Sequence, residues 1–122
     1  MLNEINKQLD TLFHAYEKNS GTNICTHIYL DGTPMNLIFI KEDGKFSRLV
    51  TTPDFSEWMA NCTGDYKKAT PQIKRLAALY GVEFDSENGS LFLRFRRNEM
   101  TIAQAVMRMV QAIYLVCGLG PV

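Results

Sequence analysis

The run Ser90 to Arg97, Ser-Leu-Phe-Leu-Arg-Phe-Arg-Arg, holds the densest set of recognition side chains in the chain. Read as a strand with a period of two, it places Phe92, Arg94 and Arg96 on one face and Leu91, Leu93 and Phe95 on the other. An aromatic ring beside two guanidiniums can stack bases and pair phosphates. The same residue types anchor protein interfaces, where arginine and aromatic rings are enriched. Lys67, Lys68, Lys74 and Arg75 are candidates to extend such a patch. The charge balance separates the two readings: 13 Lys and Arg meet 13 Asp and Glu, so the formal net charge is zero. Nucleic-acid affinity rests on excess positive charge, which this chain lacks overall. Another protein is therefore the expected partner of Phe92, Arg94, Arg96 and Arg97, with nucleic acid and an ordinary solvated strand as the alternatives.

Other chemistry finds less to work with. Cys25 and His27 alternate onto one side of a strand, the spacing of two zinc ligands, but a structural site needs four ligands and a catalytic one three. Only Cys62 or His14, both distant in sequence, are available to complete it, so no metal and no cofactor are expected. His14 and His27 are the only imidazole bases, and no Gly-x-Ser-x-Gly, phosphate-cradling glycine loop or His-Glu-x-x-His pattern accompanies them. Asp54 with Glu57 or Asp43 is the one acidic arrangement that a divergent metal-dependent nuclease would use. Otherwise Glu42-Asp43 and Asp85 to Glu87 sit in turns, where solvated acids are ordinary. The expectation is a binding protein and not an enzyme.

The elements that must position these residues follow from periodicity. Leu2, Ile5, Leu9, Leu12, Phe13 and Tyr16 recur every three or four residues, which predicts a helix over Leu2 to Lys18 ended by Asn19-Ser20-Gly21. Ile24 to Leu30, Met35 to Lys41 and Lys45 to Thr51 alternate between the turn signals Asp31-Gly32-Thr33-Pro34 and Glu42-Asp43-Gly44, a three-stranded antiparallel meander. Thr52-Pro53 and Thr70-Pro71 each read as an N-cap followed by proline at the first helical position. The first helix buries Phe55, Trp58 and Met59, and the second presents Ile73, Leu76, Ala77 and Tyr80 before Gly81 ends it. Val82 to Asp85 and Ser90 to Arg96 flank Glu87-Asn88-Gly89 as a hairpin. A capping box of Thr101 and Gln104 opens a last helix that stops at Gly118. The order α-β-β-β-α-α-β-β-α predicts one α+β domain, a five-stranded antiparallel sheet with helices mainly on one face.

The last helix is apolar on nearly every side. Beyond a core stripe from Ile102 to Cys117, Met107, Ala112, Leu115 and Tyr114 spread apolar surface around it. Two readings stay open: a central core helix, or a face for self-association or a partner, with Met107 and Tyr114 as contacts and a homodimer as the product. A membrane span is not expected, because Gln104, Arg108 and Gln111 interrupt the stretch and a span wants about 20 mostly apolar residues. Three unpaired-looking cysteines and an N-terminal segment with acid and amide in place of a basic leader point to the cytoplasm.

Asp31 to Ile40, then Gly44 to Thr51, then Lys74-Arg75-Leu76 leading to Gly81-Val82-Glu83-Phe84, resemble a family of small bacterial and phage domains of unknown function. Its members run a three-strand meander into a Leu-Thr-Asp-Asp-Gly turn, then a helix, an Arg…Gly-Val helix-to-strand step, a hairpin and an apolar C-terminal helix. The likeness covers the chain from about Thr22 onward. Here the acidic turn reads Val50-Thr51-Thr52-Pro53-Asp54, which keeps Thr51 and lacks the adjacent Asp pair. The resemblance implies a phage or mobile-element protein, non-catalytic, acting as an inhibitor of a host-defence or toxin protein. A nucleic-acid-binding or restriction-linked accessory domain is the alternative. The element order is also similar to class I type III secretion chaperones, dimers that hold an extended effector segment; those are acidic, and this chain is neutral.

Overall fold

The structure, a computed structural model, describes residues 14–18, 21–42, 44–64 and 66–118. In chain order the elements are β1 (His14–Lys18), β2 (Gly21–Cys25), β3 (Tyr29–Leu30), β4 (Thr33–Pro34), β5 (Leu37–Lys41), β6 (Phe46–Thr51), α1 (Pro53–Thr63), α2 (Thr70–Ala78), β7 (Glu83–Asp85), β8 (Ser90–Arg96) and α3 (Ile102–Cys117). The class is α+β. One antiparallel sheet has the order β1-β2-β5-β6-β8-β7, and β3 with β4 forms a separate ribbon.

Four of the expected strands and the start of the fifth, Ile24 and Cys25 within β2, lie in that sheet, and β1 joins them as its sixth strand. This corrects the helix expected up to Lys18, whose last five residues pair with β2 from His14↔Cys25 to Lys18↔Gly21. Helical spacing through Phe13 and Tyr16 loses there to a ladder that satisfies the backbone of both strands. Residues 1–13 of the expected helix, and the turn residues Asn19 and Ser20, lie outside the described residues.

The strand expected over Ile24 to Leu30 is also broken. Thr26 Oγ1 donates to the Met35 carbonyl at 2.8 Å and accepts from the Ile28 amide at 3.2 Å, replacing ladder bonds with side-chain ones. His27 takes a left-handed φ of 60° at this break. Ile24 and Ile28 still point into the core. Asp31 and Gly32 both have positive φ, 51° and 80°, the requirement of a primed two-residue hairpin turn between β3 and β4.

One sheet face carries Ile24, Leu37, Phe39, Leu49, Leu91, Leu93 and Phe95, all buried. The helices cover that face: α1 and α3 both lie against β6 and β8, and α2 packs on α3 and β7. Thr52 takes the extended N-cap conformation before Pro53, as expected, although its hydroxyl makes no cap bond. At the next helix the cap is Ala69, while Thr70 is already helical and its hydroxyl donates to the Tyr66 carbonyl. The Thr101/Gln104 capping box is complete in both directions. Along α3, Val106, Met109 and Ile113 are wholly buried, whereas Met107 and Tyr114 are 42% and 58% exposed. No helix among the described residues is long and apolar enough to cross a membrane.

Candidate functional site

The sheet face turned away from the helices is built by register. Antiparallel pairing sets Ile38, Val50 and Phe92 in one row, Ile40, Arg48 and Arg94 in the next, and Phe46 beside Arg96 in the third. Leu91, Leu93 and Phe95 point inward, so Phe92, Arg94 and Arg96 share the outer face as the alternation predicts. The sheet thus brings two arginines onto one aromatic ring, with Arg48 beside them. The Arg94 guanidinium carbon lies 3.8 Å from the Phe46 ring centroid and that of Arg96 lies 4.9 Å from it. Both are within cation–π range.

One carboxylate enters this cluster. Arg94 Nε donates to Glu42 Oε1 at 3.3 Å, and Arg48 Nε stands 3.8 Å from the same oxygen. By register Glu83 stands opposite Phe92 and, like Phe92, on the side away from the buried Phe84, so the three arginines gather at the Phe46 end of a face that also carries Glu42 and Glu83. Arg96 has no carboxylate partner among the described residues. Phe92 is half-buried and borders a hollow of about 260 Å³ with Lys74, Val82, Glu83 and Phe84. Of the four basic residues expected to extend the patch, Lys74 alone reaches Phe92 this way; Lys67 and Lys68 sit in the turn before α2, and Arg75 is exposed on α2.

Arg97 is placed differently. Its Nη1 donates to the Phe46 carbonyl at 2.7 Å and to Ser47 Oγ at 2.9 Å, and its Nη2 donates to the Gly44 carbonyl. Its guanidinium is engaged in holding the β5–β6 turn against the end of β8. Met107 and Tyr114 lie on the outer side of α3, across the thickness of the sheet from Arg94. Met107 borders a groove of about 440 Å³ formed with Glu99, Met100, Ala103, Gln104 and Arg108. Tyr114 borders a separate hollow with Tyr80, Gln111 and Leu115. The fold therefore gathers Phe92, Arg94 and Arg96 and leaves Met107 and Tyr114 elsewhere. Glu42, Phe46 and Arg48 complete the cluster without having been singled out. Their only early signal was the alternation Phe46, Arg48, Val50, which has no meaning for a site until β6 is known to pair with β8.

Cys25 Sγ and His27 Nδ1 do meet, at 3.7 Å. No group of three or more metal-ligating side chains occurs among the described residues. Asp54 and Glu57 share a cleft with Asp31 and Trp58, and Trp58 Nε1 donates to Asp31 Oδ2 at 3.0 Å; Asp43 lies outside the described residues. All three cysteines are free thiols. Burial pushes the Cys117 thiol up to about 12, with the nearby Cys62 adding to the effect. Cys62 is itself raised, by burial first and then by the negative charge of Asp31. Comparison with known proteins returns no match: no family model fits the sequence, and no curated protein or solved structure matches it.

Proposed function

We propose that this chain is a non-catalytic protein-binding module whose open sheet face takes an acidic surface of another protein. The clustering of the Arg94 and Arg96 guanidiniums on Phe46 carries the reading, with Arg48 and Arg94 sharing Glu42 and Arg96 without a carboxylate partner among the described residues. The adjoining row of Ile38, Val50 and Phe92 supplies apolar area beside the charges. An interface of that composition, apolar centre with arginine anchors, is how protein contacts are usually built. Base stacking is the weaker use of this face: Phe46 already carries two guanidiniums, and the chain has no net positive charge. The family resemblance supplies the partner class, a host-defence or toxin protein that is inhibited while this face is occupied, in the cytoplasm. Self-association through Met107 and Tyr114 is a second reading, favoured by their exposure on α3.

Fluorescence anisotropy with a labelled poly-glutamate peptide and an oligothymidylate of equal charge tests the proposal. The peptide binds the wild-type chain, and the double substitution Arg94→Glu, Arg96→Glu abolishes binding while the protein stays folded. Absence of peptide binding, or tighter binding of the oligothymidylate, overturns it.

A further inference from the structure

β8 outreaches the strand on its outer side. β6 pairs with it from Phe46↔Arg96 to Val50↔Phe92, whereas β7 pairs only with Ser90, Leu91 and Phe92. Which main-chain groups this leaves bare follows from the alternation of N–H and C=O along a strand. The Arg97 amide donates to the Lys45 carbonyl and the Leu91 amide to Thr51 Oγ1, so odd-numbered residues turn toward β6. Even-numbered residues turn the other way. Ser90 and Phe92 meet β7, and Arg94 and Arg96 lie past its end. The Arg96 carbonyl accepts from the Glu99 and Met100 amides. That leaves the Arg94 amide, the Arg94 carbonyl and the Arg96 amide without a main-chain partner among the described residues.

β7 is not placed to grow over them. The residue before it, Val82, donates its amide to the Ala77 carbonyl, and Gly81, at φ 72°, donates to Ala78. The chain entering β7 is thus tied to α2 and turns away from β8.

The groove that holds Met107 runs along the helix side of this bare edge, as its two ends show. At one end the Glu99 amide is bonded to the Arg96 carbonyl. At the other, Arg108 Nη1 is 3.5 Å from the Tyr80 carbonyl and would stand 3.4 Å from a Cβ placed on Gly81. Between them lie Met100, Ala103 and Met107. The opposite side of the edge carries Arg94 and Arg96.

We propose that an extended segment of the partner protein adds to this edge as a strand beside β8, in line with β7. The inference deepens the protein-binding reading above and rests on it. An unpaired strand edge is a template for a further strand, and main-chain bonds give such additions their affinity. Side chains of an added strand alternate, so every second one lies beside Arg94 and Arg96 and the others enter the Met100/Ala103/Met107 groove. The occupant is a segment in which acidic and apolar residues alternate. The Arg94 and Arg96 guanidiniums on one side and the apolar Met100, Ala103 and Met107 on the other each select for it. Met107, remote from the arginines across the sheet, becomes part of the same site through the edge that separates them.

The test uses the full chain and a labelled peptide of alternating glutamate and valine, with two copies N-methylated on one or the other alternate set of amides. The parent peptide binds, and one N-methylated copy loses about tenfold or more, the worth of a main-chain hydrogen bond, while the other is little changed. Amide hydrogen exchange at Arg94 and Arg96 slows when the parent peptide saturates the protein. Equal binding of all three peptides with no change in exchange overturns strand addition and leaves the open-face reading standing. Failure of both the alternating and the poly-glutamate peptides overturns the two together.

Discussion

Replacing Arg97 by alanine separates a side chain that builds the fold from the two neighbouring arginines that face outward. The substitution keeps the strand-end bond from the residue 97 amide to the Lys45 carbonyl, 2.9 Å, and removes only the guanidinium. Two of the lost bonds matter. The Phe46 carbonyl loses a charge-assisted donor at 2.7 Å, worth about 1.5–2 kcal/mol in a partly buried setting. Ser47, wholly buried, loses the 2.9 Å partner of its hydroxyl, which costs about 1 kcal/mol more. The bond to the Gly44 carbonyl is exposed, and water replaces it at little cost. The sum is about 3 kcal/mol, which at about 4 °C per kcal/mol for a chain of this size lowers Tm by about 12 °C. Urea unfolding followed through Trp58, the single tryptophan, measures it directly. Arg94→Ala and Arg96→Ala are the controls: Arg96 loses an exposed cation–π contact of about 0.5–1 kcal/mol, and Arg94 loses one of that size together with its exposed ion pair to Glu42, worth about 0.5 kcal/mol. Arg97→Lys keeps a charge without the fork and recovers part of the loss. If Arg97→Ala unfolds no more readily than Arg94→Ala, the assignment of Arg97 to the fold is refuted.

Two further outcomes follow from α3. The raised Cys117 thiol keeps its proton in the folded state while the unfolded chain releases it near the ordinary value of 9.0, so stability falls as pH climbs from there toward 12. Cys117→Ala flattens that alkaline slope and changes nothing below it, and matching slopes in urea titrations of the two proteins contradict the assignment. Light scattering at micromolar concentration tests self-association: a wild-type dimer that Met107→Glu converts to monomer supports it, and a wild-type monomer removes it.

What could be read from residues alone divides along the distance over which the decisive contact acts. The alternation of β8 and the Thr101/Gln104 cap are local, because a period of two and a three-residue spacing contain their own geometry. Arg97 looked like Arg94 and Arg96 because its partners, Gly44 to Ser47, lie about fifty residues earlier and meet it only once β6 pairs with β8. The same pairing brings Glu42 and Arg48 to Arg94, so the arginine cluster of the open face is a product of register. His14 to Lys18 shows the converse, where a helical stripe that is plausible locally yields to a ladder with β2.

The bare edge belongs to both classes. Unequal lengths, Val82 to Asp85 against Ser90 to Arg96, already predict that one strand of the hairpin outruns the other. Sequence cannot show which way the shorter strand's approach bends, and that decides whether the excess is covered. Val82 and Gly81 are held by the carbonyls of Ala77 and Ala78, so the approach follows α2 and leaves Arg94 uncovered. Register would set Gly81 opposite Arg94, and the Gly81 amide is bonded to the Ala78 carbonyl instead. The exposed edge is thus set by how the chain leaves α2, through the positive-φ Gly81, and not by β8 itself.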